Sequence, residues 1–197
     1  PGGGQGLGVG AVTQAPGPVP YDAARLGHLG FGASADVITS ADLDRMLLEG
    51  AVARPSDGER PRRVVFVQCA GSRDAAHLRY CSSECCGTSL RQVLAVHRAH
   101  PDVECAVVYR DLRAPGQLEH FYRAVQEQSQ VMLARGTVEG VLPSGDRLTV
   151  RVKDSLLGEQ VEIEADLVVL AVGMVPNSAD GEAIRALRDA RQRIERN

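Results

Sequence analysis

The sequence predicts an α/β domain, a parallel sheet with flanking helices plus an antiparallel β insert. Three observations carry this. Short continuous apolar runs at 64–68 (VVFVQ), 103–109 (VECAVVY) and 166–172 (DLVVLAV) read as strands buried on both faces. Stretches with apolar residues at helical spacing separate the first two and follow the second. Two alternating stretches, LTVRV and VEIEA, read as strands with one wet face.

The elements follow in order. Residues 1–20 are dominated by Gly and Pro and predict a flexible end. Within them, residues 6–11 fit the pattern G-x-G-x-x-A, but no strand precedes it and a Pro-rich stretch follows, so the context of a dinucleotide fingerprint is missing. Residues 21–50 hold a short helix, with Ser40 as its cap and Leu43, Met46 and Leu47 on one face. A polar hinge at 54–63 (RPSDGERPRR) separates 21–60 from a main domain at 61–178.

That domain starts with the strand at 64–68. A helix at 82–99 follows, its stripe formed by Cys86, Leu90, Val93, Leu94 and His97. After the strand at 103–109, Leu118, Phe121, Tyr122 and Val125 mark a second amphipathic helix. A third short strand at 131–134 precedes strand-like stretches at 137–142, 147–153 and 160–164, the last two joined by a turn at Leu157 and Gly158. The strand at 166–172 ends at Gly173, and residues 179–197 read as a charged, truncated C-terminal helix. The alternation places helices on both faces of the sheet and a ligand site at the carboxyl ends of its strands.

Composition narrows the function. With 44% hydrophobic and 24% charged residues, the 197-residue chain is not disordered throughout. No apolar run approaches the ~18 residues of a membrane span, and the N-terminus lacks the basic region and apolar core of a secretory signal. A net charge of −3 argues against general attraction to nucleic acid. All basic residues except Lys153 are arginines, which reflects composition more than chemistry. The five histidines do not cluster, and no Ser-His-Asp set or carboxylate dyad supports hydrolase chemistry.

The five cysteines are the unusual count. An odd number without a secretion signal argues against a disulfide framework. Cys69, Cys81, Cys85 and Cys86 form the spacing Cys-x11-Cys-x3-Cys-Cys. Cys69 stands at the end of the first strand, where a dinucleotide-binding loop would carry its first glycine. The other three lie at the start of the next helix, where the helix dipole and free amides favour anionic sulfur. With Cys81 in the first helical turn, it shares a face with Cys85, whereas Cys86 is turned away by about 100°. Divergent neighbours suit a four-iron cluster, whose irons are separated, better than one tetrahedral zinc ion. Zinc, a vicinal or redox disulfide and plain buried thiols remain alternatives. Cys105, in mid-strand, reads as a small buried hydrophobe.

The segments VVFVQCAGSRD, LRYCSSECCGTSL, VVYRDLRAPG and DLVVLAVGMVPN resemble the family of heterodisulfide reductase A subunits, together with the flavoprotein subunits of quinone-interacting membrane-bound oxidoreductases. The resemblance covers residues 20–178. It implies a Rossmann-like domain similar to the NAD(P)-binding domain of thioredoxin reductase, with the nucleotide fingerprint replaced by cysteines. It implies one [4Fe-4S] cluster on Cys69, Cys81, Cys85 and Cys86, FAD in the full-length parent, and residues 21–60 as a remnant of a flavin-domain segment. The family's FAD fingerprint and ferredoxin-type Cys-x2-Cys runs are missing here, so the sequence resembles an internal fragment. The implied function is electron transfer within a multi-subunit reductase. The implied partners are other subunits of a heterodisulfide reductase-like or quinone-interacting complex, with a homodimer allowed, no nucleic acid and no direct membrane insertion. The implied location is cytoplasmic, with any membrane attachment made through partner subunits.

Three further positions are cofactor-binding candidates. Arg110 and Arg113 follow the second strand, where thioredoxin reductase-like proteins grip the ribose phosphate of NADPH. They carry the alternative of an NAD(P)H-dependent flavoprotein, as the thiol count carries that of a zinc-stapled interaction domain. Gly173 is a candidate for cofactor contact and, more simply, for a backbone turn. Gln68 and Arg73 flank Cys69, where a donor to cluster sulfur would tune potential. Tyr80 reads as packing over the cluster.

Overall fold

A computed structural model describes residues 10, 11, 15 and 17–177. The helix expected at 179–197 and most of the 6–11 glycine pattern lie outside these residues. Two compact units are present, residues 20–173 and the chain on either side of them. In the flanking unit, β1 (Pro18–Pro20) forms a two-stranded ribbon with a strand at Met174–Pro176.

The main unit opens with two 3-10 turns, Ala23–Arg25 and Gly27–Leu29. The elements β2 (Val37–Thr39) and α1 (Ser40–Glu49) follow. The N-cap of α1 is Thr39, not Ser40. Thr39 and Asp42 form a reciprocal capping box, while the Ser40 hydroxyl donates to the Leu170 carbonyl. Then come β3 (Arg63–Ala70), α2 (Cys85–Ala99), β4 (Glu104–Tyr109), α3 (Glu119–Gln126), β5 (Val131–Ser144), β6 (Arg147–Asp154), β7 (Gln160–Ala165) and β8 (Leu167–Val172).

The seven-stranded sheet has the order β2-β8-β3-β4-β5-β6-β7. The pairs from β2 to β5 are parallel, and β5, β6 and β7 form an antiparallel meander. The sequence suggested a break between 131–134 and 137–142, but β5 runs through both. Gly136 makes this continuity workable, because a Cβ there would stand 2.7 Å from the Lys153 carbonyl oxygen of β6. A slip in register between Val138 and Gly140 adds a bulge.

Among the described residues, the helices are not on both faces of the sheet. α1 and α2 touch, as do α2 and α3. One core joins Leu43, Leu90, Val93 and Val125 to alternate strand residues Val64, Phe66, Val107 and Val169. The intervening residues Val65, Val67, Val108, Val168 and Leu170 are equally buried. The curl of the meander, which brings β7 to β3 and β6 to β8, and the second 3-10 turn, which lies against β5, supply cover there instead of helices. Each strand buried on both faces contributes side chains worth about 1.5–3 kcal/mol apiece, which is why its apolar run is unbroken.

Candidate metal centre

The parallel strands all end at one edge of the sheet, and the four motif cysteines collect there. Cys69 stands near the end of β3 with φ 58°, where the pairing with β8 slips between Val67 and Ala70. Among the described residues, positive φ outside glycine is confined to Cys69, Arg73 and Ser83, all in this loop. Backbone strain of this kind, about 1–3 kcal/mol per residue, concentrates at functional sites. The loop closes on itself through Ser72 N to Cys69 O (3.0 Å), Leu78 N to Gly71 O (3.0 Å) and Arg73 N to Tyr80 O (3.1 Å).

Cys81 lies in the loop, not in the first turn of the helix. α2 begins only at Cys85, with Glu84 as an N-cap that makes no side-chain hydrogen bond. The shared-face argument for Cys81 and Cys85 is thus replaced by loop placement. The Ser83 N–H donates to Cys81 Sγ at 3.4 Å. Cys85 Sγ donates to the Val172 carbonyl at 3.4 Å, at the end of β8. Cys86 Sγ approaches the Asp111 carbonyl at 3.9 Å. The four sulfurs lie within one another's electrostatic reach.

Burial outweighs the helix N-terminus at these thiols. Desolvation pushes the Cys85 thiol up to about 12, with Cys69, Cys86 and Cys81 adding repulsion. Desolvation also raises Cys86, against the Arg113 N–H, and raises Cys69 despite the opposing charges of Arg73 and Arg110. Burial therefore favours the neutral thiol at Cys69, Cys85 and Cys86. Cys105 stands apart in the core, raised to about 12 by burial alone.

The Arg73 side chain pairs with Asp111 at 2.8 Å, and its charge opposes the burial of Cys69. Arg110 Nη1 donates to the Arg73 carbonyl at 3.0 Å. Arg113 meets Cys86 through its backbone. Gly173 underlies the loop, since a Cβ there would fall 2.1 Å from Ser72 Oγ and 2.8 Å from Leu78 Cδ1. Tyr80 is exposed.

Two features lay beyond sequence reasoning. Asp111, whose carboxyl is held low by the hydrogen bond from Arg73, also pairs with Arg135 at 3.5 Å. His77 hydrogen-bonds the Tyr21 hydroxyl at 2.8 Å and stacks on His28. Partners so distant in sequence leave no local signal.

Over 86% of its length, the chain is 42% identical to the iron-sulfur A subunit of CoB–CoM heterodisulfide reductase from Methanocaldococcus jannaschii. Over 91% of its length, it is 37% identical to the A subunit of H(2)/formate:CoB-CoM heterodisulfide,ferredoxin reductase from Methanococcus maripaludis. The chain is homologous to a segment of the heterodisulfide reductase A subunit. It spans 27% of the first of these relatives and 29% of the second. No family model matches it.

Solved structures agree with the fold. The chain is similar to L-lysine 6-monooxygenase from Pseudomonas syringae, with a TM-score of 0.52 and 13% identity over 79% of this chain and 43% of that one. It is also similar to thioredoxin reductase from Lactococcus lactis, with a TM-score of 0.50 and 15% identity over 80% of this chain and 43% of that one. The Rossmann-like α/β class expected from the sequence is the fold observed. No helix among the described residues is long and apolar enough to cross a membrane.

Proposed function

We propose that this segment of a heterodisulfide reductase-type protein holds one [4Fe-4S] cluster on Cys69, Cys81, Cys85 and Cys86. In this role it relays electrons to or from FAD within a multi-subunit reductase. The observation that carries the reading is the gathering of four free thiols, mutually coupled yet spread, on a strained loop at the carboxyl edge of the sheet. Among the described residues, no three His, Cys, Asp or Glu side chains converge as ligands of a single ion would. A cluster presents separated irons and needs no such convergence. Two buried polar groups, the Gln68 amide and the Ser72 hydroxyl, lack hydrogen-bond partners among the described residues and flank Cys69. Relatives whose names include the words iron-sulfur support the same chemistry.

A bound cluster supplies one-electron chemistry. The chain's own contribution is positional. The left-handed turn at Cys69 brings its sulfur off the strand, the start of α2 presents Cys85 and Cys86, and the Arg73 and Arg110 charges offset the anionic thiolates. Carriage of FAD by the full-length protein and docking to partner subunits belong to the same proposal.

The test is anaerobic purification followed by iron and sulfide analysis and EPR of the reduced protein. About four irons per chain are expected. Cys85→Ser should lose or alter the signal, while Cys105→Ala should keep it. Zinc in place of iron, or fewer than about two irons per chain, would overturn the assignment.

A further inference from the structure

Gln68 is the least expected residue at this edge. It is only 7% exposed, yet neither Nε2 nor Oε1 has a hydrogen-bond partner among the described residues. Burying an unpaired amide costs about 1–3 kcal/mol, and a strand that already reads Val-Val-Phe-Val would carry an apolar residue there without that cost.

In a regular strand, Gln68 and Cys69 would point to opposite faces. The positive φ at Cys69 and the slip in register between Val67 and Ala70 break that alternation. Both residues line one cavity of about 360 Å³, together with Arg110, His28 and Asp74. The nearby guanidinium groups have other work, Arg73 on Asp111 and Arg110 on the Arg73 carbonyl. The Gln68 N–H groups, like the Ser72 hydroxyl, are therefore uncommitted neutral donors, and Gln68 adjoins the first ligand directly along the chain.

We infer that Gln68 is a positioning residue whose carboxamide donates to sulfur of the cluster group at Cys69 and thereby raises its reduction potential. This rests on the cluster reading above. Reduction adds negative charge to the sulfurs, so a hydrogen-bond donor favours the reduced state, and its removal lowers the potential. The same geometry explains why the amide is tolerated at a buried strand end.

The experiment is an EPR-monitored anaerobic redox titration of the full-length protein and two variants. Gln68→Met keeps the volume and removes the donor. Gln68→Glu keeps the shape and adds an anion. The midpoint potential should fall in the Met variant and fall further in the Glu variant, with iron content unchanged. Equal potentials at equal iron content would overturn the inference, because a purely structural role would alter thermal stability and leave the potential alone. Pulsed EPR of wild-type protein labelled with ¹⁵N-glutamine keeps the question open to disproof if either variant fails to fold. A ¹⁵N coupling to the reduced cluster that can be assigned to residue 68 supports the inference, and its absence overturns it. A wild-type protein that assembles no cluster fails the underlying reading, and the inference falls with it. That result is distinguishable from unchanged potentials by iron content alone.

Discussion

Cys69 occupies a left-handed conformation that glycine adopts without steric penalty. The spacing of the cysteines was legible in the sequence, and so was their arrival at a strand end. The backbone state of Cys69, Arg73 and Ser83 was not, because composition and spacing carry no signal for φ at a non-glycine residue. The placement of Cys81 was misread for a related reason, since a helix start without a side-chain cap leaves little trace in sequence. Gly173 shows the same limit, as its constraint comes from Ser72 and Leu78, far away along the chain. Gly173→Ala should displace the cysteine loop while leaving the sheet intact. Cluster content should fall severalfold at near-normal circular dichroism, and undiminished iron content would refute this role. The raised thiols give a second test, made on metal-free protein. With Cys85 and Cys105 at about 12, their thiolate fractions rise about tenfold per pH unit across the neutral and alkaline range. Alkylation rates resolved by peptide mapping should follow that slope between pH 7 and about 10. A flat profile would mean thiolates already formed at neutral pH.

At the scale of elements, periodicity located the helices and the buried strands, because their apolar patterns are set by burial. It missed β2, whose three residues are too few to show a period, and it divided β5, whose continuity depends on the close approach at Gly136. The N-terminus of α1 was offset by one residue, since both Thr39 and Ser40 are good caps and only tertiary contact with Leu170 separates their roles. Thr39→Ala should therefore cost about 1 kcal/mol in urea unfolding, whereas a loss near zero would deny the cap. Partial burial pushes the Asp42 carboxyl up, but hydrogen bonds from the Thr39 side chain and backbone and the Arg45 charge outweigh it, leaving it below the ordinary aspartate value. A lowered folded value contributes stability above the ordinary range and loses it on acidification. The difference between wild type and Thr39→Ala should shrink below about pH 4.

Across the whole molecule, the two edges of the parallel sheet differ in character. The carboxyl edge gathers thiols, left-handed residues and buried orphan polar groups. The opposite edge carries ion pairs, including Arg60–Asp102 at 2.6 Å and Arg147–Glu164 at 3.0 Å, between largely exposed side chains. Asp166 is the exception there. It is buried and accepts from the Arg62 and Arg63 N–H groups at 2.7 and 2.8 Å, fixing where β3 begins beside β8. Asp166→Ala should cost about 2–3 kcal/mol, while Arg60→Ala should change stability by less than about 1 kcal/mol. Equal effects in denaturant titrations would contradict this division. The sequence conveyed the α/β class because alternating element types survive any arrangement of layers. It did not convey that the three α-helices of the described residues share one face, since only the curl of the meander settles what covers the other.

The Tyr21 N–H donates to the Gly173 carbonyl at 2.7 Å, and the Tyr21 ring lies where a Cβ on Gly71 would go. The two ends of the main unit are thus fastened together beside the loop that carries Cys69 and Cys81. A segment whose ends meet behaves as a cassette that a host chain can take in at one loop without stretching any strand. It also lends itself to circular permutation. A short link could join the old ends, with new termini opened in the exposed 155–158 turn on the meander, and the cysteine loop would keep every neighbour it has now.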